Sequence, residues 1–185
     1  MENFGKIIFY IYICIYKKYL IMEQENKVQH VQLPKKEIYE ITPKDQLIYL
    51  AIKRYMNNET KESFPSLETI SKDTGATPPT IRKILKRLED FGYIQIFKRG
   101  RSNVYKFTDY DHFEAFSYDF LDNKNLTFTE KSYLVAAQEH MYKSNNSGKI
   151  TYSSSELSDK INMPRSTMYK TESSLVAIFL AWKNE

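Results

Sequence analysis

An α+β fold, mainly helical with one small β hairpin, is what this sequence predicts, and three observations carry it. Apolar residues recur at helical spacing through residues 67–91. The period then switches to alternation over residues 93–107, and the helical part returns further along as an imperfect second copy.

The 185 residues are enough to bury one sizeable core or two small ones, and 42% hydrophobic with 27% charged residues is ordinary for a globular chain. The net charge of +4 is modest as a total. Its distribution says more. Residues 78–107 alone hold Arg82, Lys83, Lys86, Arg87, Lys98, Arg99, Arg101 and Lys106 against Glu89 and Asp90, a local net charge of +6.

In the first helix of this stretch Ser66 is the capping residue, Leu67, Ile70, Ser71 and Thr74 form the inner face, and Gly75 supplies the left-handed stop. Thr77 then caps a second helix, with Pro78 and Pro79 in early positions where no backbone donor is lost. Ile81, Ile84, Leu85, Leu88 and Phe91 make its apolar stripe. Thr80, Arg82, Lys83, Lys86 and Arg87 fall on the remaining surface, Arg82, Lys83 and Lys86 most nearly opposite the stripe. Beyond Gly92, residues 93–97 and 103–107 read as strands joined by Lys98-Arg-Gly-Arg-Ser102, a hairpin tipped by Arg99 and Arg101.

This order of parts, from about residue 42 to 107, resembles the winged helix-turn-helix domain of bacterial and phage transcriptional regulators and of plasmid or phage replication initiators. The resemblance implies a three-helix core with a two-stranded wing, a recognition helix in the major groove of double-stranded DNA, and commonly a homodimer. On that reading Thr80, Arg82, Lys83, Lys86, Arg87, Lys98, Arg99 and Arg101 are the DNA-binding residues. Arg82 or Lys83 would read base edges, while Lys86 and the wing would hold phosphates.

A repeat runs through the chain. Thr42-Pro-Lys-Asp45 and Thr127-Phe-Thr-Glu130 both read as capping boxes, and Ile48, Leu50, Ala51 and Met56 return 85 residues later as Tyr133, Val135, Ala136 and Met141. Ser66, Ile70, Ser71, Thr80, Lys83 and Leu88 return 87 residues later as Ser153, Leu157, Ser158, Thr167, Lys170 and Leu175, with Asn162 standing in for Gly75. Arg165, Tyr169 and Lys170 are the DNA-binding candidates of this copy, and Glu172 on the same helix would oppose them. No basic hairpin follows Leu175. The expected architecture is therefore two tandem winged helix-turn-helix copies, the second with an incomplete wing, which either contacts DNA or serves packing and dimerisation.

The organisation expected is an apolar leader over 1–21, a polar segment over 22–41, a first domain over 42–108, an acidic aromatic connector over 109–126 and a second domain over 127–185. In the connector, Asp109, Asp111, Glu114, Asp119 and Asp122 alternate with Phe113, Phe116, Tyr118, Phe120 and Leu121. A helix with its aromatic side inward is expected there; the alternative is an acidic surface that mimics DNA over the wing or receives a basic protein. In the leader, Ile7 to Tyr16 is about half of the roughly 20 apolar residues that span a bilayer, and Lys17-Lys18 interrupts it. No stable membrane insertion is expected. The favoured reading is that translation starts at Met22; the alternative is a hydrophobic segment that docks on the body, self-associates or lies on a membrane surface.

Cys14 is the sole cysteine, which leaves no internal disulfide and fits a reducing cytoplasm, and His30, His112 and His140 share no ligand spacing. Neither a phosphate-binding glycine loop nor a Gly-x-Ser-x-Gly elbow is present. No cofactor, metal or catalytic site is expected. The function expected is sequence-specific binding of double-stranded DNA by a transcriptional regulator, with a replication initiator or a protein-binding adaptor as alternatives.

Overall fold

In the computed structural model residues 29–34, 41–109, 113–142 and 152–183 are described; the apolar leader 1–21 and most of the segment 22–41 lie outside them. The elements in chain order are β1 (His30–Pro34), α1 (Pro43–Lys53), β2 (Glu62–Ser63), α2 (Leu67–Thr74), α3 (Pro78–Asp90), β3 (Ile94–Arg99), β4 (Ser102–Phe107), β5 (Phe113–Ser117), α4 (Tyr118–Asp122), α5 (Phe128–Tyr142), α6 (Ser154–Lys160) and α7 (Arg165–Lys183).

Helix α1 opens on a capping box: the Asp45 carboxylate accepts from the Thr42 N–H at 2.8 Å, and the Thr42 hydroxyl accepts from the Asp45 N–H at 3.4 Å. Every residue from Leu47 to Ile52 is fully buried. A helix apolar on all sides has to be enclosed on all sides, and α1 packs against β1, α2, α3 and α5. Around it gather Ile70 of α2 and Ile81, Ile84, Leu85 and Leu88 of α3. Tyr49 meets Tyr93 and Phe107 edge to face, at 6.2 and 5.5 Å between ring centres.

Strands β3 and β4 form the expected hairpin, closed by a two-residue loop in which Gly100 has φ 62°. Strand β2, which the sequence did not suggest, pairs with β4 and makes the sheet three-stranded. Phe91 belongs to no buried stripe: it sits at the C-cap of α3 and is 40% exposed. Thr77 has N-cap backbone geometry, but its hydroxyl bonds to the Thr80 hydroxyl at 3.0 Å instead of capping the helix.

The connector is not the helix expected. Residues 113–117 form β5, antiparallel to β1 with Val31 opposite Phe116, and only the five residues of α4 are helical. Its strand partner lies about eighty residues away, in the segment read as merely polar, so no local pattern could show the pairing. Asp122 does not reach toward the wing either. Arg54 holds it with bonds of 2.8 and 3.1 Å, and these keep its carboxyl below the usual range. The Arg54 guanidinium in turn lies 4.8 Å from the Tyr118 ring centre.

Beyond the connector the same local bonds return. Thr127 with Glu130, and Ser153 with Glu156, form capping boxes at α5 and α6. Asn162 has φ 51° where Gly75 has φ 79°. The Ser158 hydroxyl donates to the Met163 carbonyl at 2.6 Å, as Ser71 does to Ala76 at 2.7 Å. Helix α7 runs on to Lys183 with no hairpin after it among the described residues. Glu172 does not face outward with Tyr169 and Lys170. It is 4% exposed and occupies the place that Leu85 has in α3, accepting from the Tyr133 hydroxyl at 2.7 Å.

Candidate nucleic-acid interface

The turn between α2 and α3 is built by backbone and hydroxyl bonds. The Gly75 N–H donates to the Ser71 carbonyl at 2.8 Å, and the Thr74 hydroxyl donates to Ile70 and accepts from Ala76. Pro78 then starts α3, whose buried stripe Ile81, Ile84, Leu85 and Leu88 docks on α1 and fixes its rotation. That rotation leaves Arg82, Lys83 and Lys86 exposed, and none of them forms an ion pair among the described residues.

Arg87 is placed differently. It reaches back across α1 to the carboxylate of Asp45, with contacts of 3.2 and 2.5 Å, and the Asp45 side chain is only 1% exposed. Arg87 therefore positions the recognition helix, which keeps three of its four basic residues unpaired among the described residues. Thr80 is half-buried on the Thr77 hydroxyl, at the edge of the exposed face.

The wing is pinned to α3. Gly92, at φ 75°, closes the helix, the Tyr93 N–H donates to the Leu88 carbonyl at 2.9 Å, and the Glu89 carboxylate accepts from the Ile96 N–H at 3.0 Å. One of the two acids in the basic stretch is thus spent on holding β3. Lys98 and Arg101 are exposed near the tip of the hairpin and unpaired among the described residues. Arg99, by contrast, donates to Glu62 at 3.1 Å and stacks 5.3 Å from the centre of the Phe64 ring.

In the second unit Tyr169 is 51% exposed and Lys170 is exposed beside it. Arg165 is exposed and hydrogen-bonded to the Ser155 hydroxyl. Among the described residues, five of the predicted contact cations of the first unit are therefore unpaired, against one unpaired and one engaged in the second. Lys106, Phe64 and Phe97, which the sequence reading left out of the site, share a face of the wing sheet with Arg99. Strand alternation would have placed Phe97 and Lys106 there; Phe64 depends on the unforeseen strand β2.

Among the described residues no three His, Cys, Asp or Glu converge on a site that could hold a metal ion, and no helix is long and apolar enough to cross a membrane. Residues 39–94, which run from the start of the α1 region through α2 and α3 into β3, match a family described as a helix-turn-helix domain. No curated protein and no solved structure matches the chain. Its enclosed α1, its left-handed turn, its basic second helix and this match agree, and together they support a helix-turn-helix DNA-binding domain over residues 39–94.

Proposed function

We propose that the protein binds double-stranded DNA sequence-specifically as a cytoplasmic transcriptional regulator and performs no catalysis. The observation that carries this reading is the set of five exposed cations, Arg82, Lys83, Lys86, Lys98 and Arg101, unpaired among the described residues, on one helix and the hairpin pinned to it. A protein-binding adaptor built on the same scaffold would have no use for that concentration of unneutralised charge. Arg82 and Lys83 reach base edges in the major groove, while Lys86, Lys98 and Arg101 neutralise phosphates.

We read residues 127–183 as a second helix-turn-helix copy whose main task is packing. It supplies α5, which closes the open side of α1, and it offers fewer free cations. The repetition of one unit within a single chain favours a second reading, a phage or plasmid replication initiator that uses the same contacts at an origin.

Fluorescence anisotropy of the protein with random duplex and with DNA flanking its own gene, at two salt concentrations, tests the proposal. Three phosphates neutralised predict a log-log salt slope of about −3, with preference for the flanking DNA. No binding to either duplex at low salt would return the adaptor to the lead.

A further inference from the structure

The outer face of the wing sheet carries a second surface with its own chemistry. In β3 and β4 the side chains of Ile94, Ile96, Tyr105 and Phe107 turn inward to the core. By strand alternation Gln95, Phe97, Arg99, Val104 and Lys106 turn outward. Phe97 stands opposite Val104, and the register of β2 on β4, carried one residue beyond Ser63, sets Phe64 on the other side of Val104. The result is a row across three strands, Phe64, Val104, Phe97, with the two rings about 10 Å apart by strand spacing.

Both rings are open, Phe64 45% and Phe97 37% exposed, whereas Val104 between them is fully buried. Arg99 pairs with Ser102 at the hairpin tip, yet its guanidinium reaches Glu62, which pairs with Lys106 at the base. The arginine side chain therefore lies back along the face and stacks on Phe64 at 5.3 Å. Exposed rings interleaved with Arg99, Lys106 and the tip residue Arg101 suit unstacked bases joined by phosphates, because every base offers a π face and every linkage a negative charge.

A second copy of the chain fits less well. It would bring the same positive charge against itself, and two half-exposed rings fall well short of the roughly 800 Å² per partner of a stable interface.

We propose that this outer face binds single-stranded nucleic acid, with Phe97 and the Arg99-covered Phe64 as stacking platforms, Glu62 fixing Arg99 over that ring, and Arg101 and Lys106 holding the backbone. The site lies apart from the major-groove face of α3, shares only the wing-tip Arg101 with the duplex contacts, and does not rest on the duplex-binding proposal. In the cell its ligand would be the strand exposed when a duplex opens.

The test uses the full chain and a fluorescein-labelled oligothymidine of ~20 nucleotides beside a random duplex of matching length, read by anisotropy at low salt. The double variant Phe64→Leu with Phe97→Leu keeps apolar cover over Val104 but removes the π faces. It should weaken oligothymidine binding about tenfold or more while duplex affinity stays within about twofold, and Phe97→Trp should retain single-strand binding. Lys86→Ala, at a phosphate-holding residue on α3, should show the reverse pattern, so that failure of one proposal is distinguishable from failure of the other. No oligothymidine binding by the wild type, or an equal loss on both ligands, overturns the inference. Unchanged oligothymidine binding with loss of self-association in sedimentation would assign the face to a second copy instead.

Discussion

Asp45 ties three segments together with one carboxylate. It accepts from the backbone and hydroxyl of Thr42 and from the guanidinium of Arg87, so one side chain sets both the start of α1 and the seating of α3. Asp45→Ala removes a cap and a charged hydrogen bond together and should lower stability by about 2 to 4 kcal/mol in urea unfolding. The spacing of Thr42 and Asp45 announced the cap in the sequence; the partnership with Arg87, forty-two positions on, did not show there. Lys131 is a second such residue. Its buried ammonium donates to the Asp73 and Leu121 carbonyls, at 2.9 and 2.5 Å, and burial, assisted by Lys124, pushes its pKa from 10.5 down to about 8. A lowered folded-state pKa means that the unfolded chain holds the extra proton between those two values, so stability rises with pH there. Wild type relative to Lys131→Met should gain stability between about pH 8 and 10.5 and show a flat difference below. A flat difference across the whole range in pH-dependent denaturation would reject this assignment.

Among the elements, the two helix-turn-helix turns offer a matched comparison. Gly75 and Asn162 hold the same left-handed position, at φ 79° and φ 51°. A Cβ at Gly75 would meet Phe128 at ordinary contact distance, so the cost of Gly75→Ala is backbone strain, about 1 kcal/mol. Asn162→Gly should move the other way, by a few tenths of a kcal/mol, and chemical denaturation of the two variants checks both signs. These turns were legible because a glycine or asparagine at a helix end has a local, steric reason. The hairpin was legible for the same reason, through its alternation and Gly100. Strands β1, β2 and β5 were not, since a strand exists only with its partner, and their partners lie far along the chain.

The whole molecule is built around α1 and α5, the equivalent first helices of the two repeats, which pack against each other. Leu47, Ile48, Leu50 and Ile52 of α1 and Tyr133, Leu134 and Val135 of α5 are nearly or fully inaccessible. Val135 belongs to the core around α1, whereas Tyr133 and Leu134 join the second core with Met168 and Leu175 of α7. The first unit is consequently open on one side without the second. A chain cut after residue 126 should lose cooperative unfolding in thermal circular dichroism, because it exposes an apolar helix to water. Replacing both Arg165 and Lys170 with alanine, by contrast, should leave duplex affinity within a few-fold. Within the first unit, Arg101→Ala should weaken all duplexes alike and reduce the salt slope by about 1, whereas Arg82→Ala should relax sequence preference at a cost of roughly 1 to 3 kcal/mol.

Local chemistry made the caps, the helix-turn-helix, the basic hairpin and the repeat readable from residues alone, because each depends on neighbours within a few positions. Which charges stay free was settled by packing. Arg87 and Arg99 look like Arg82 and Arg101 in the sequence, yet Asp45 and Glu62 take them up; Glu172 looks like a surface acid, yet it lies on the inner face of α7 against Tyr133. A charged side chain's availability depends on what the fold brings within about 4 Å of it, and periodicity carries no record of those distant partners.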